Sequence, residues 1–239
     1  MKRCTVKLTK RLQAILDIVP QAGVIADVGT DHGYLAVAMI KEKKAGRVIA
    51  IDVNARPLET AKRYIESCQL TPYIECRLSN GLQNTRVGEL TGAVICGMGG
   101  FLMRDIIREA PELLDFYVVQ PQNGQAELRQ YMVEEGYCII KEIIMYDMGK
   151  LYQAWLAIKK DLLDPISFDK DIYANLPKDS ILWMVGALVA EERPLLWRQY
   201  IENFIHQYQS VLESMTIALR RTNKFIKTQQ CIKELEELL

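Results

Sequence analysis

The 239-residue chain predicts an α/β fold in which a doubly wound, mainly parallel sheet closes in an antiparallel hairpin and is followed by a helical tail. Three observations predict it. Short apolar runs alternate with helix-patterned segments up to residue 135, and such alternation requires crossover connections and helices on both faces of a parallel sheet. Two longer β-type runs follow, joined only by the Gly-containing residues 147–150, which reads as a hairpin. Beyond the polar stretch that starts at residue 161, the pattern is helical. The expected division is a first domain over residues 1–160 and a C-terminal helical, coiled-coil-like domain over 161–239.

The elements follow in order. Residues 7–19 place Leu8, Leu12, Ile15, Leu16 and Val19 on one helical face, and Pro20 with Gly23 ends that helix. Residues 24–28 form a buried strand closed by Gly29. Residues 34–43 are helical, 48–53 a second strand, and 57–68 a helix with Pro57 in its first turn. A third strand at 73–78 runs into a turn at 79–81. A fourth at 93–96 runs into Gly97, Met98, Gly99 and Gly100, and a helix follows at 102–109. A strand at 117–120 and a helix at 125–135 complete the alternation, and strands at 137–146 and 151–158 make the hairpin. Among doubly wound folds, this ending resembles the class I methyltransferase sheet more than that of a dinucleotide dehydrogenase. Residues 161–177, polar and with two prolines, read as a linker. In the tail, Ile201, Phe204, Tyr208, Val211, Met215 and Ala218 step by three and four, which makes a heptad seam. Two arrangements would bury it: an antiparallel helical hairpin turning near Thr222 and Asn223, or a simple helical cap on the first domain.

Composition excludes more than it selects. Thirty basic and thirty acidic residues cancel, so net charge points to no partner. Their distribution is uneven. Lys2, Arg3, Lys7, Lys10 and Arg11 crowd the first eleven residues without an acid, and Arg220, Arg221, Lys224 and Lys227 cluster near the other end. Charge runs are ordinarily solvated surface; two such patches also suit a polyanion. Six cysteines without a CxxC pair and two histidines offer no metal-ligand spacing. With no apolar leader and no long apolar run, the chain is expected to be a soluble, reduced, cytoplasmic monomer that binds neither metal nor membrane.

The chemistry gathers at the carboxyl ends of the strands, where open α/β sheets bind ligands. The first turn carries Asp27, Gly29, Thr30, Asp31 and His32 before Gly33 opens a helix. A dinucleotide site would need G-x-G-x-x-G to rest a pyrophosphate on the helix N-terminus. This turn has neither that spacing nor that charge. Asp27 and Asp31 suit instead a ligand with an ammonium and a sulfonium, and S-adenosylmethionine carries both and no phosphate. Plainer roles are an N-cap for Asp31 and a satisfied turn residue for His32; Asp27, at the end of a buried strand, needs a partner. Asp52, followed by Val53, stands where nucleoside-binding sheets place a ribose-binding carboxylate. Asn80 and Gly81 either hold an adenine edge or form an ordinary Asn-Gly turn. Gly97 and Met98 mark close backbone approach to a ligand or a flexible loop. Gln120, Pro121, Gln122 and Asn123 form a rim of amides with no acid or base. Such a rim suits a ring nitrogen that needs no deprotonation, where alignment alone can contribute roughly 7–11 kcal/mol.

The strings ADVGTDHGYL at 26–35, CGMGG at 96–100 and QP at 120–121 resemble the bacterial tRNA (adenine-22-N1) methyltransferases, the TrmK family. KLTKRLQAIL at 7–16 is similar to that family's entry helix, and KLYQAWLAIK at 150–159 to its closing strands. The resemblance covers about the first 160 residues; the tail matches in kind, as a coiled-coil-like helical domain. It implies S-adenosylmethionine-dependent methylation of adenine N1 in the tRNA D-arm. By matched position, Asp27, Gly29, His32, Asp52, Asn80, Gly81 and Gly97 would line the cofactor pocket. Gln120 and Pro121 would sit near the target base, with Arg11 at the pocket mouth. The basic residues Lys7, Lys10, Arg11, Arg220, Arg221 and Lys224 are the expected RNA contacts. The family pattern has QPN after the fifth strand, so the positioning amide falls to Gln122 or to Asn123. It has an acid where Asn80 stands, whose oxygen can still accept from an adenine amino group. The competing readings are a methyltransferase with a small-molecule or protein acceptor, and a non-catalytic tRNA-binding protein with a vestigial pocket.

Overall fold

A computed structural model describes residues 7–164, 171–216 and 222–239. The first helix, α1 (Lys10–Ile18), starts where the Thr9 hydroxyl accepts the Leu12 N–H, three residues later than the apolar spacing suggests. The alternation then runs β1 (Ala22–Val28), α2 (Tyr34–Lys41), β2 (Ala45–Asp52), α3 (Ala55–Ser67), β3 (Ile74–Leu78), β4 (Gly92–Met98), α4 (Gly100–Arg108), β5 (Phe116–Pro121) and α5 (Gln125–Glu134). The hairpin is β6 (Tyr137–Asp147) and β7 (Lys150–Lys159). Its two linking residues, Met148 (φ 47°) and Gly149 (φ 80°), are both left-handed, as a tight hairpin turn that matches strand twist requires.

The seven strands form one sheet in the order β3-β2-β1-β4-β5-β7-β6. β1 through β5 pair in parallel, whereas β7 runs antiparallel to both β5 and β6. The chain leaves the middle of the sheet in opposite directions from β1 and β4, so the crevice for a ligand lies between them. Alternate residues feed two cores. Ile49, Ile51, Ala93, Ile95, Tyr117 and Val119 pack on the side of α4 and α5. Val48, Ala50, Val94 and Val118 pack on the side of α1, α2 and α3. Each buried Val or Ile contributes about 1.5–3 kcal/mol, enough to set the register firmly.

Among the described residues four tail α-helices follow: α6 (Leu182–Val185), α7 (Ala187–Glu192), α8 (Trp197–Ser214) and α9 (Asn223–Glu236). The Trp197 indole donates to the Leu238 carbonyl at 3.0 Å, which sets the start of α8 beside the end of α9, antiparallel. Ile144 and Leu151 of the β hairpin pack into the same apolar cluster as Val185, Ile201 and Leu235. The tail is therefore a helical hairpin and a cap at once. Within the heptad seam Ile201 and Met215 are buried and Val211 is exposed; Ala218, Arg220 and Arg221 lie outside the described residues.

The expected linker at 161–177 is corrected in its described part. Tyr173 is buried, and its hydroxyl donates to Glu142 Oε1 and accepts the Ala187 N–H, both at 2.7 Å. Glu142 in turn accepts from Arg129 Nε at 2.7 Å, and Arg129 also donates to Gln153 Oε1 (2.6 Å) and the Trp183 carbonyl (2.9 Å). Its guanidinium stacks 4.0 Å over the Trp155 ring. A phenol that both donates and accepts completes this buried network, so the segment is pinned down rather than left in solvent. None of the described helices is long and apolar enough to cross a membrane.

Candidate active site

Each strand end contributes one wall of the site. After β1 the backbone turns through Gly29 (φ 74°), Asp31 (φ 48°) and Gly33 (φ 72°), while Gly29 and Thr30 donate their N–H groups to the Ile51 carbonyl. Gly33, not Asp31, is the N-cap of α2. The Asp31 carboxylate instead lies 3.4 Å from His32 Nε2, both largely exposed. A Cβ on Gly29 would push the flexible Met98 methyl aside, and the left-handed φ of 74° is what favours glycine there.

Asp27 lies in the buried run Ile25–Val28 at the end of β1. It accepts from the Thr30 hydroxyl at 2.7 Å and from the Ala36 N–H. Burial pushes its carboxyl up from the ordinary 3.8 to about 6, against those two hydrogen bonds and with help from nearby Asp52. Asp52 is buried at the end of β2 and accepts the Asn54 N–H at 2.8 Å. Neither carboxylate forms an ion pair among the described residues. Val53 is exposed on the same wall, and Asn80 and Gly81 form the next one, with Gly81 (φ 56°) tight against Ile106.

The end of β4 is irregular. Its pairing with β5 shifts register between Cys96 and Met98, leaving Gly97 (φ 76°) as a bulge that re-aims Met98 toward Gly29. Burial pushes the Cys96 thiol well above its usual range, so it stays neutral and is no nucleophile.

At the end of β5, Gln120 is fully buried, and its Oε1 accepts from Arg11 Nη1 at 2.7 Å. Arg11 also lies over the Tyr152 ring, 5.5 Å from its centre, and its N–H reaches Asp147 at 3.3 Å. Arg11 is thereby drawn into the pocket wall, apart from the exposed Lys7 and Lys10. Beyond Pro121 the loop has a definite register. Gln122 faces the cavity, while the Asn123 side chain packs on Gly99 and the Asn123 backbone carbonyl accepts the Gly100 N–H at 2.8 Å.

These walls enclose a cavity of about 440 Å³ and, along the β1–α2 turn, an adjoining compartment of about 250 Å³. Arg11, Gly29, Asp31 and Cys96 belong to both. The first compartment gathers Asp52, Val53, Asn80, Gly81, Gly97, Met98 and Gln122; the second gathers Asp27, Thr30 and His32. Of the basic residues expected to touch RNA, Lys224 is exposed at the start of α9, and Arg220 and Arg221 lie outside the described residues. Sequence reasoning missed Cys96 as a wall residue and the anchoring of Arg11 by Gln120. Cys96 stands at the head of the CGMGG string and could have been found there, whereas the Arg11–Gln120 contact spans 109 positions and left no local signal.

The donor set fits S-adenosylmethionine. Two buried carboxylates without cationic partners suit its ammonium and its ribose hydroxyls, and the glycine-lined strand ends leave space for a nucleoside. Among the described residues no three His, Cys, Asp or Glu side chains come together as a metal site.

Comparisons with known proteins agree with this geometry. The tRNA (adenine(22)-N(1))-methyltransferase of Bacillus subtilis (strain 168) is 28% identical over 235 residues, spanning 97% of this chain and 92% of that one. The crystal structure of the B. subtilis M1A22 tRNA methyltransferase TrmK matches with a TM-score of 0.77 at 28% identity, over 98% of this chain and 96% of that one. M. capricolum TrmK, solved with S-adenosyl-homocysteine, matches in fold with a TM-score of 0.74 at 24% identity, over 96% of each chain. The sheet is thus the Rossmann-like methyltransferase sheet expected from the hairpin ending. A family model described as a methyltransferase domain matches residues 8–155, well over half of the chain, which therefore belongs to the methyltransferase-domain family.

Proposed function

We propose that the chain transfers a methyl group from S-adenosylmethionine to N1 of adenine 22 in the D-arm of a tRNA. The observation that carries this is the junction at Gln122. There the cavity that holds the buried Asp52, continuous with the compartment that holds the buried Asp27, opens onto a rim of amides and proline. Support also comes from the similarity to the B. subtilis tRNA (adenine(22)-N(1))-methyltransferase along nearly the whole chain.

In this reading residues 1–160 are the catalytic domain and 161–239 a helical domain that helps hold the RNA. Asp27 faces the cofactor's ammonium, with Thr30, Asp31 and His32 along the same turn. Asp52 and Val53 hold the ribose, and Asn80 and Gly81 the adenine edge. Gly29, Gly97 and Met98 close the pocket around the reacting end. When bound, the cofactor supplies an electrophilic methyl on a sulfonium. Adenine N1 has its own lone pair, so no proton acceptor is needed and the Gln122–Pro121 rim provides none. Alignment and exclusion of water are what the chain contributes. Gln120 acts as a positioning residue, since it touches Arg11 and is closed off from the cavity. Lys7, Lys10, Lys224, Arg220 and Arg221 contact phosphates.

The test uses two unmodified tRNA transcripts that differ only by adenine or guanine at position 22. An N1-methyl blocks the pairing edge, so reverse transcription should arrest at position 22 in the adenine transcript alone. Methylation of both transcripts, or of neither, would overturn the proposed target.

A further inference from the structure

A second concavity lies on the far side of Gln122, between the β6–β7 hairpin and α8. Its inner part, about 320 Å³, has Pro121, Gln122, Gln125 and Tyr152 facing Asn203, Phe204 and Gln207. Its outer part, about 550 Å³, continues along Lys150 and Leu151 to Tyr146 and Gln199. Gln122 belongs to this cleft and to the cofactor cavity alike. So does the stacked pair Arg11 and Tyr152, one partner in each wall. The two spaces therefore meet where the target base must sit.

Gln199, Asn203 and Gln207 recur every four residues on α8 and make a stripe of amides facing the hairpin. The Gln122, Gln125, Asn203 and Gln207 side chains make no hydrogen bond among the described residues. Each amide offers a donor and an acceptor together, the combination that base edges present. Tyr152 and Phe204 add flat apolar surface for stacking, and Lys150 is an exposed cation at the outer end. The one carboxylate in the lining, Glu202, is paired with Arg198 at 3.5 Å.

From this juxtaposition we propose that the cleft between the β6–β7 hairpin and α8 holds the unpaired nucleotides that flank the target adenosine in the RNA. This rests on the RNA-methyltransferase function proposed above and specifies where the strand runs. Bases lie against the amides and aromatic rings, and the backbone passes Lys150. The target base alone crosses Gln122 into the cofactor cavity, as an enzyme that works on an extruded base requires.

The experiment compares Gln207→Glu with Gln209→Glu in the full chain. The two residues lie on one helix about 200° apart, both exposed, and only Gln207 lines the cleft. Each change adds one negative charge and disturbs no buried contact. Affinity for unmodified tRNA and for S-adenosylmethionine is measured for both variants and for the unaltered protein. We expect Gln207→Glu to weaken tRNA binding roughly tenfold and Gln209→Glu by no more than about twofold, with cofactor affinity unchanged in both. Equal effects of the two variants on tRNA, whether large or absent, would overturn the cleft assignment while leaving the methyltransferase intact. If the unaltered protein bound cofactor but no tRNA, the proposed function itself would fail and the cleft assignment with it.

Discussion

Lowering the pH from 7 to 5 should weaken cofactor binding about tenfold, and Asp27 is the reason. Its carboxyl is buried at the end of β1, and burial raises it to about 6. About nine tenths of the protein then carries the charge at pH 7 and about one tenth at pH 5, while an α-ammonium stays protonated throughout. If the ammonium binds only the ionised form, affinity follows that fraction. The same group acts on stability with the opposite sign. Its folded value lies above the unfolded 3.8, so between about pH 4 and 6 the folded chain holds more proton than the unfolded one. Free-protein stability from this group is full below that window and falls by about 3 kcal/mol in all as pH rises through it. Calorimetric titration with S-adenosylmethionine at pH 5, 6 and 7 measures the first effect. Chemical denaturation of the unaltered protein and of Asp27→Asn over the same range isolates the second, because only their difference carries this group. The unaltered protein should lose ground to Asp27→Asn as pH rises, and cofactor affinity of the variant should be low and flat. Affinity of the unaltered protein that is level from pH 5 to 7 would refute the pairing of Asp27 with a cationic ligand.

Three further predictions follow from the same contacts. Glu142→Gln or Arg129→Met, each leaving a buried partner uncompensated, should cost about 3–5 kcal/mol in denaturant unfolding; the double variant should cost much less than the sum. Gly29→Ala puts a side chain at φ 74° against Met98, and should cost at least about 1–2 kcal/mol together with a clear loss of cofactor affinity by titration. Gln120→Leu leaves Arg11 without its acceptor, about 1–3 kcal/mol of lost hydrogen bonding. It should raise KM for tRNA with little change in cofactor binding, and Gln120→Glu should restore KM; loss of cofactor affinity instead would make Gln120 a merely structural residue.

Much of this fold was legible because its signals are local. Apolar runs such as 24–28 and 48–53 can only be buried strands when helix-patterned segments separate them, and residues 147–150 announce their turn through Gly149. The pocket was legible for the same reason: Asp27, Asp52 and Asn80 follow three successive strands at the edge where ligands bind. What stayed hidden depends on contacts far apart in the chain. Arg129 and Glu142 carry no local sign of burial, and only the arrival of Tyr173 and Gln153 makes them a buried pair. The same arrival turns an apparent linker into a docked segment. Charge distribution puts Arg11 in a basic arm and only the family resemblance puts it at the pocket mouth, because the acceptor that draws it inward, Gln120, is far along the chain. The choice between Gln122 and Asn123 rests on the approach of Asn123 to Gly99, a contact between two loops. The plainer capping role open to Asp31 falls instead to Gly33, whose left-handed backbone starts α2 two residues later.

The central claim is that this chain methylates an adenine of tRNA at N1 without a proton acceptor, by holding the base at Gln122 over the cofactor cavity. Transfer from S-adenosylmethionine with a labelled methyl to unmodified bulk tRNA, followed by digestion and nucleoside analysis, tests it most directly. The account predicts label in N1-methyladenosine and in no other nucleoside. Label in a different nucleoside, or tight cofactor binding with no label in RNA, would contradict it.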